Sequence, residues 1–199
     1  MTPTTRIPRV LSILIPSLLL CYGVLRLIDG LDGDHGPGLA WNLGHTFFLA
    51  AFLLLGVFLV ELRRLVPPAT APMRVAAGTA TIAGVFGAAC FVWVILGDLF
   101  PGLAESAPLP EPLKLASPLV FQLGLLTLVT MLAAARPRRL PVWSPPLVFL
   151  TFGLIMVNLD LLPLAAICLL AGLAPLARNR TPLTRDNTPD IQARPTVRL

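Results

Sequence analysis

Seven polar residues lie where so apolar a sequence leaves little room for them: Arg26, Asn42, His45, Asp98, Gln122, Asn158 and Asp160. Each sits inside or at the edge of a long apolar run. Polar groups in hydrocarbon are costly, so they face a bundle interior, a water-filled cavity or one another. Their types point to proton and ion chemistry. His45 can carry a proton, and Asp98 and Asp160 can each accept one. Arg26 supplies the positive charge that two acids at low dielectric require. Asn42 stands three residues before His45, on the same helix face. The expectation is one polar pocket, open to the outside, lined by His45, Asp98 and Asp160 with Arg26 or Asn158 at its rim. The competing reading is that these are helix-end side chains reaching out to water, with Arg26 paired to Asp29 or to nothing.

What the chain lacks narrows the chemistry. It has no H-E-x-x-H, G-x-S-x-G or P-loop pattern. No nucleophile accompanies His45, so no catalytic residue is assigned. Cys21, Cys90 and Cys168 stand singly in apolar runs and read as small buried packing residues. Leu18-Leu19-Leu20-Cys21 has the outline of a lipobox, but Leu20 is too large for one, so the first run is kept as a permanent span. Asp29, Asp32, Asp34 and His35 are rich in oxygen, yet they lack the EF-hand spacing and its terminal Glu. They read as a plain acidic loop. No metal and no cofactor is expected.

Composition names the solvent. The chain is 56% hydrophobic and 13% charged, with a mean hydropathy of +0.83. A soluble domain carries about 25% charged residues. This much apolar surface belongs in a bilayer. The net charge of +5 does not imply nucleic acid, because the basic residues sit in short groups between apolar runs.

The elements that must position the polar set follow from those runs. They are Val10 to Ile28, Leu39 to Val60, Val75 to Leu99, Leu115 to Ala135, and Pro145 to Ala177. The last has 33 residues, and one helix that long would reach ~50 Å, past a ~30 Å hydrocarbon core. Asn158-Leu-Asp160-Leu-Leu-Pro163 interrupts it. Asp160 can cap a new helix whose first turn tolerates Pro163. The reading is two short spans in a tight hairpin, six spans in all. The connection from Gly102 to Lys114 should be extended or loop-like, because Pro108, Pro110 and Pro112 alternate.

In the third run, Ala76, Ala80, Gly84 and Ala88 recur every four residues. Small side chains on one face let helices approach closely. That run is expected at the packed centre of the bundle. Arg6, Arg9, Arg63, Arg64, Arg74, Arg136, Arg138 and Arg139 fall on one side of the membrane, which the positive-inside rule makes cytoplasmic. Asp29, Asp98 and Asp160 end the three outward-going runs.

The expected protein is therefore an all-α, polytopic membrane bundle of six helices with both termini cytoplasmic. Residues 1–9 form a cytoplasmic N-terminus, 10–177 a single transmembrane domain, and 178–199 a disordered cytoplasmic tail. Its place is a cell membrane, a bacterial inner membrane by preference. The leading functional expectation is a permease-like or solute-binding protein using the polar pocket. Next comes an accessory subunit meeting a membrane partner or a second copy through the small-residue face. Last comes a lipid-headgroup enzyme, with His45 as base and Asp98 or Asp160 as its orienter.

Overall fold

The computed structural model describes residues 6–33, 35–67 and 70–178. The stretches expected to form the tail beyond Arg178 and the extreme N-terminus lie outside them, as does Asp34. Among the described residues the elements are helices, with no strand. They are α1 (Arg6–Asp29), α2 (Leu39–Leu65), α3 (Ala71–Leu99), α4 (Pro101–Ser106), α5 (Glu111–Ala134), α6 (Ser144–Val157) and α7 (Leu162–Arg178). Short 3-10 turns, Gly30–Asp32 and Leu159–Leu161, follow α1 and precede α7.

Five of these helical stretches are long and apolar enough to cross a membrane: α1, α2, α3, α5, and α7 with the turn before it. The sixth apolar helix, α6, has only 14 residues. The expected hairpin of two short spans is thus uneven, with one short arm and one full-length arm. The Asn158 side chain accepts the Asp160 backbone N–H at 2.8 Å. Asn158, not Asp160, is therefore the residue that caps the turn. The amide of Asn158 supplies the acceptor, which leaves the Asp160 carboxylate for another partner. The proline-rich connection also differs from its expected loop. Pro101 occupies the first turn of α4, where its missing N–H costs nothing.

Around the bundle the order is α1, α2, α3, α5, α6, α7, and α7 packs back on α1 to close the ring. α2 also touches α5 across the middle. One end of the ring carries Asp29, Asp98 and Asp160, and we call it the acidic end. The opposite, arginine end carries Arg9, Arg63, Arg64, Arg74 and Arg178.

Close joints use small residues. A Cβ on Gly23 of α1 would lie 2.8 Å from the Pro163 ring of α7. A Cβ on Gly124 of α5 would lie 2.6 Å from the Gly84 backbone nitrogen of α3. Ala80, Gly84 and Ala88 are buried along this joint, whereas Ala76 is exposed. α3 is not the centre, however. Val75, Ile82 and Phe86 on its other face are exposed. The small stripe brings α3 against α2 and α5, but an all-apolar helix can turn its remaining face to lipid and become a wall. Ser and Thr hydroxyls within the helices mostly bond back to carbonyls one turn earlier, as Thr81 does to Ala77 and Thr151 to Leu147.

Candidate functional site

At the acidic end the interior of the ring is not filled. A cavity of about 260 Å³ opens there. Its charged and polar lining comes from Arg26 and Tyr22 on α1, His45 and Trp41 on α2, and Asp98 on α3. Apolar side chains make the rest, including Phe48, Phe52, Phe91 and Phe152.

Each side chain is aimed by its helix. His45 is buried, with its ring 4.0 Å from the Trp41 ring and 5.3 Å from the Tyr22 ring. Its Nδ1 lies 2.9 Å from the Trp41 carbonyl oxygen, one turn earlier. A carbonyl only accepts, so Nδ1 carries the hydrogen and Nε2 is the nitrogen turned into the cavity. Nε2 faces Asp98 Oδ2 at 3.8 Å. Asp98 sits in the last turn of α3, and its side chain is 43% exposed. The Trp41 indole donates to the Asp98 backbone carbonyl at 3.5 Å, joining α2 to the end of α3.

Arg26 crosses to the hairpin turn. Its Nε donates to Asp160 Oδ1 at 3.1 Å. The approach that permits this is the contact between Gly23 and Pro163, one turn away on each element. Asp29 takes a different partner, His35, at 3.5 Å.

The seven sequence candidates therefore divide. Arg26, expected at the rim, lines one cavity with His45 and Asp98, whereas Asp160, expected in its wall, does not line it and meets it only through its pair with Arg26. Asn42, Gln122 and Asn158 do not line it. Asn42 is exposed on α2. Gln122 is buried and donates to the Phe149 carbonyl at 3.4 Å, tying α5 to α6. Asn158 is the cap described above.

Two features were missed by reasoning from sequence. The first is the aromatic wall. Trp41, His45, Tyr22, Phe48, Phe52, Phe91, Phe121 and Phe152 form one unbroken chain of ring contacts. The i, i+4 spacing of Phe48 and Phe52 was a usable signal for part of it. The second is Glu61, expected to lie outside the span. α2 continues past it, and its buried carboxylate pairs with Arg64 at 2.5 Å at the arginine end. The cysteines are mixed: Cys90 is buried as expected, but Cys21 is exposed.

Among the described residues no group of three or more His, Cys, Asp or Glu is placed to hold a metal ion. No protein-family model matches this sequence, and neither a curated protein nor a solved structure matches it. The several long apolar helices are compatible with a multi-pass membrane protein.

Proposed function

We propose that the chain is a solute-binding, permease-like membrane protein whose ligand occupies the cavity at the acidic end. The observation that carries this reading is the cavity itself. Three helices direct Arg26, His45 and Asp98 into a space that is otherwise aromatic and apolar. A few convergent polar groups in a mostly apolar concavity are the usual make-up of a small-molecule site. The ligand should therefore have an apolar body and one polar end.

The arginine distribution orients the site. With the arginine end cytoplasmic, six helices cross, both termini are inside, and the cavity opens outward. A reporter fused after Arg180 should then behave as cytoplasmic. Activity of that reporter on the opposite side would overturn the topology.

The other two classes have less support. An accessory subunit would offer its small-residue stripe to a partner, but Ala80, Gly84 and Ala88 are buried within the chain. A lipid-headgroup enzyme needs a nucleophile or metal beside His45, and the cavity lining includes no Ser, Thr or Cys. Benzyl alcohol, a neutral probe with an apolar body, tests the cavity. It should raise the melting temperature of the detergent-purified chain, and Ile155→Trp, which fills the space, should abolish the shift. An equal shift in both proteins would place the probe elsewhere and remove the main support for this reading.

A further inference from the structure

The cavity's charges do not balance, and the imbalance says what it selects. This step rests on the ligand-binding reading above. Arg26 and Asp160 answer each other at 3.1 Å and together contribute no net charge. His45 and Asp98 do not settle so simply. Nδ1 is committed to the Trp41 carbonyl, and Nε2 faces Asp98 Oδ2 across 3.8 Å. With a neutral imidazole and an ionised carboxylate, a nitrogen lone pair would face oxygen lone pairs with no hydrogen between them. One proton, on Nε2 or on the carboxyl, removes that conflict. With one proton shared there the pair carries no net charge; without it the pair carries one negative charge.

The walls determine what can replace the proton. Tyr22, Trp41, Phe48, Phe52 and Phe91 line the same space as Asp98. Aromatic faces carry negative potential and attract organic cations, most strongly where water is excluded. An anion would have Arg26 to meet it, but it would share that guanidinium with the Asp160 carboxylate, which already takes the Nε hydrogen. A volume of about 260 Å³ suits a small organic molecule rather than a hydrated metal ion alone.

We infer that the cavity binds a small lipophilic organic cation, of the quaternary ammonium class, in exchange for the single proton held by His45 and Asp98. The cation's charge lies at the Asp98 carboxylate and its apolar groups fill the aromatic wall. The one bond that breaks is the N–H or O–H of the pair. The proton leaves to water through the partly exposed Asp98 side.

The neighbouring charges leave this exchange intact. From α1, Arg26 and Tyr22 line the same cavity as the pair, and Asp29, further along the helix, is paired with His35. Lys114 of α5 lines a second cavity that shares Asp98, and it is paired with Glu111 at 2.8 Å. Glu105 on α4 is exposed and lines neither cavity. α6 carries no titratable side chain.

The test uses the full chain in detergent, titrated calorimetrically with benzyltrimethylammonium and with toluenesulfonate, an anion of similar size. The cation should bind at least about tenfold more tightly than the anion, a difference within reach of one charge and an aromatic wall. Its affinity should rise with pH by up to about tenfold per unit while the pair loses its proton, with close to one proton released per cation in weak buffer at the lower pH. Asp98→Asn should weaken the cation at least about tenfold. Equal or tighter binding of toluenesulfonate would overturn the inference and leave the cavity reading standing. So would unchanged affinity in Asp98→Asn. Should that variant fail to fold, the proton count in the unaltered chain decides: no release at any pH between about 5 and 9 overturns the exchange. If neither ion nor benzyl alcohol binds, the cavity reading fails as well.

Discussion

Toward the arginine end the interior of the ring is packed, and the cavity of about 280 Å³ found there lies at its rim, between Pro67, Met73, Met131 and Arg136. Leu55, Phe58, Leu59 and Leu62 of α2 and Leu125, Leu128 and Leu132 of α5 are fully buried in one hydrophobic cluster. At the acidic end α2 turns Trp41, His45 and Phe48 to the interior instead, and a cavity of about 260 Å³ remains with no α5 side chain in its lining. The difference lies in the kinds of side chain. Branched leucines interdigitate and close the space between helices. At the acidic end flat rings meet at centroid separations of 4.0 to 5.9 Å and line the space instead. One ring of helices can therefore be a rigid plug at one end and a receptacle at the other.

That contrast can be broken by substitution. The largest effect should come from the α3–α5 joint. Gly124→Leu would drive a side chain into the backbone of Ala80 and Gly84. It should meet or exceed the ~3 kcal/mol upper range of overpacking, and detergent melting should fall sharply or be lost. Gly84→Ala meets the flexible end of Leu59, 2.9 Å away, and should cost only about 1 kcal/mol. A similar loss for both would mean that the helices adjust freely and that the joint is not rigid.

Phe58→Ala, in the filled end, should cost about 3–5 kcal/mol, the usual range for an emptied core site. Phe91→Ala borders space that already exists, so its loss should be about half of that or less. Equal losses in thermal melts would erase the distinction between plug and receptacle.

Smaller still is Arg26→Gln. Asp160 is 43% exposed and keeps water when its partner goes, so the cost should be about 1 kcal/mol, far below that of a fully buried pair. Glu105→Gln and Glu111→Gln should fall within about 0.5 kcal/mol, as exposed acids on short or terminal helical turns do. A melt in which Glu105→Gln costs as much as Arg26→Gln would reduce the Arg26–Asp160 bridge to a surface pair.

The apolar runs made the long helices legible, because in a bilayer a span is a matter of length and hydropathy. The arrangement of those helices was not legible. The four-residue stripe through Ala80, Gly84 and Ala88 marks where α3 is approached, but it does not say whether its other face meets protein or lipid. For the site, the cost of polar groups in hydrocarbon was enough to single out Arg26, His45, Asp98 and Asp160. The same argument also caught Asn42, Gln122 and Asn158, which meet that cost in local ways: exposure, a cross-helix carbonyl and a turn cap. The aromatic wall escaped notice because phenylalanine is unremarked in an apolar run. Only the packing of α1 on α2, and of α2 on α3, brings Tyr22 beside His45 and Phe48 and links them through Phe52 to Phe91.

The short helix α6 carries a consequence for the membrane rather than for the chain. Its 14 residues rise about 21 Å, against a hydrocarbon thickness of about 30 Å. Phe149, Leu150, Met156 and Val157 are exposed on it. In the six-span arrangement, acyl chains beside α6 must shorten or splay to cover a wall about 9 Å too low, while those beside α2 and α3 need not. That arrangement would thin the surrounding bilayer on one flank only. Mismatch costs fractions of a kcal/mol per Å. Lipid chain length thus becomes a lever on stability, and vesicles of shorter-chain phosphatidylcholine should hold the protein at a higher melting temperature than longer ones.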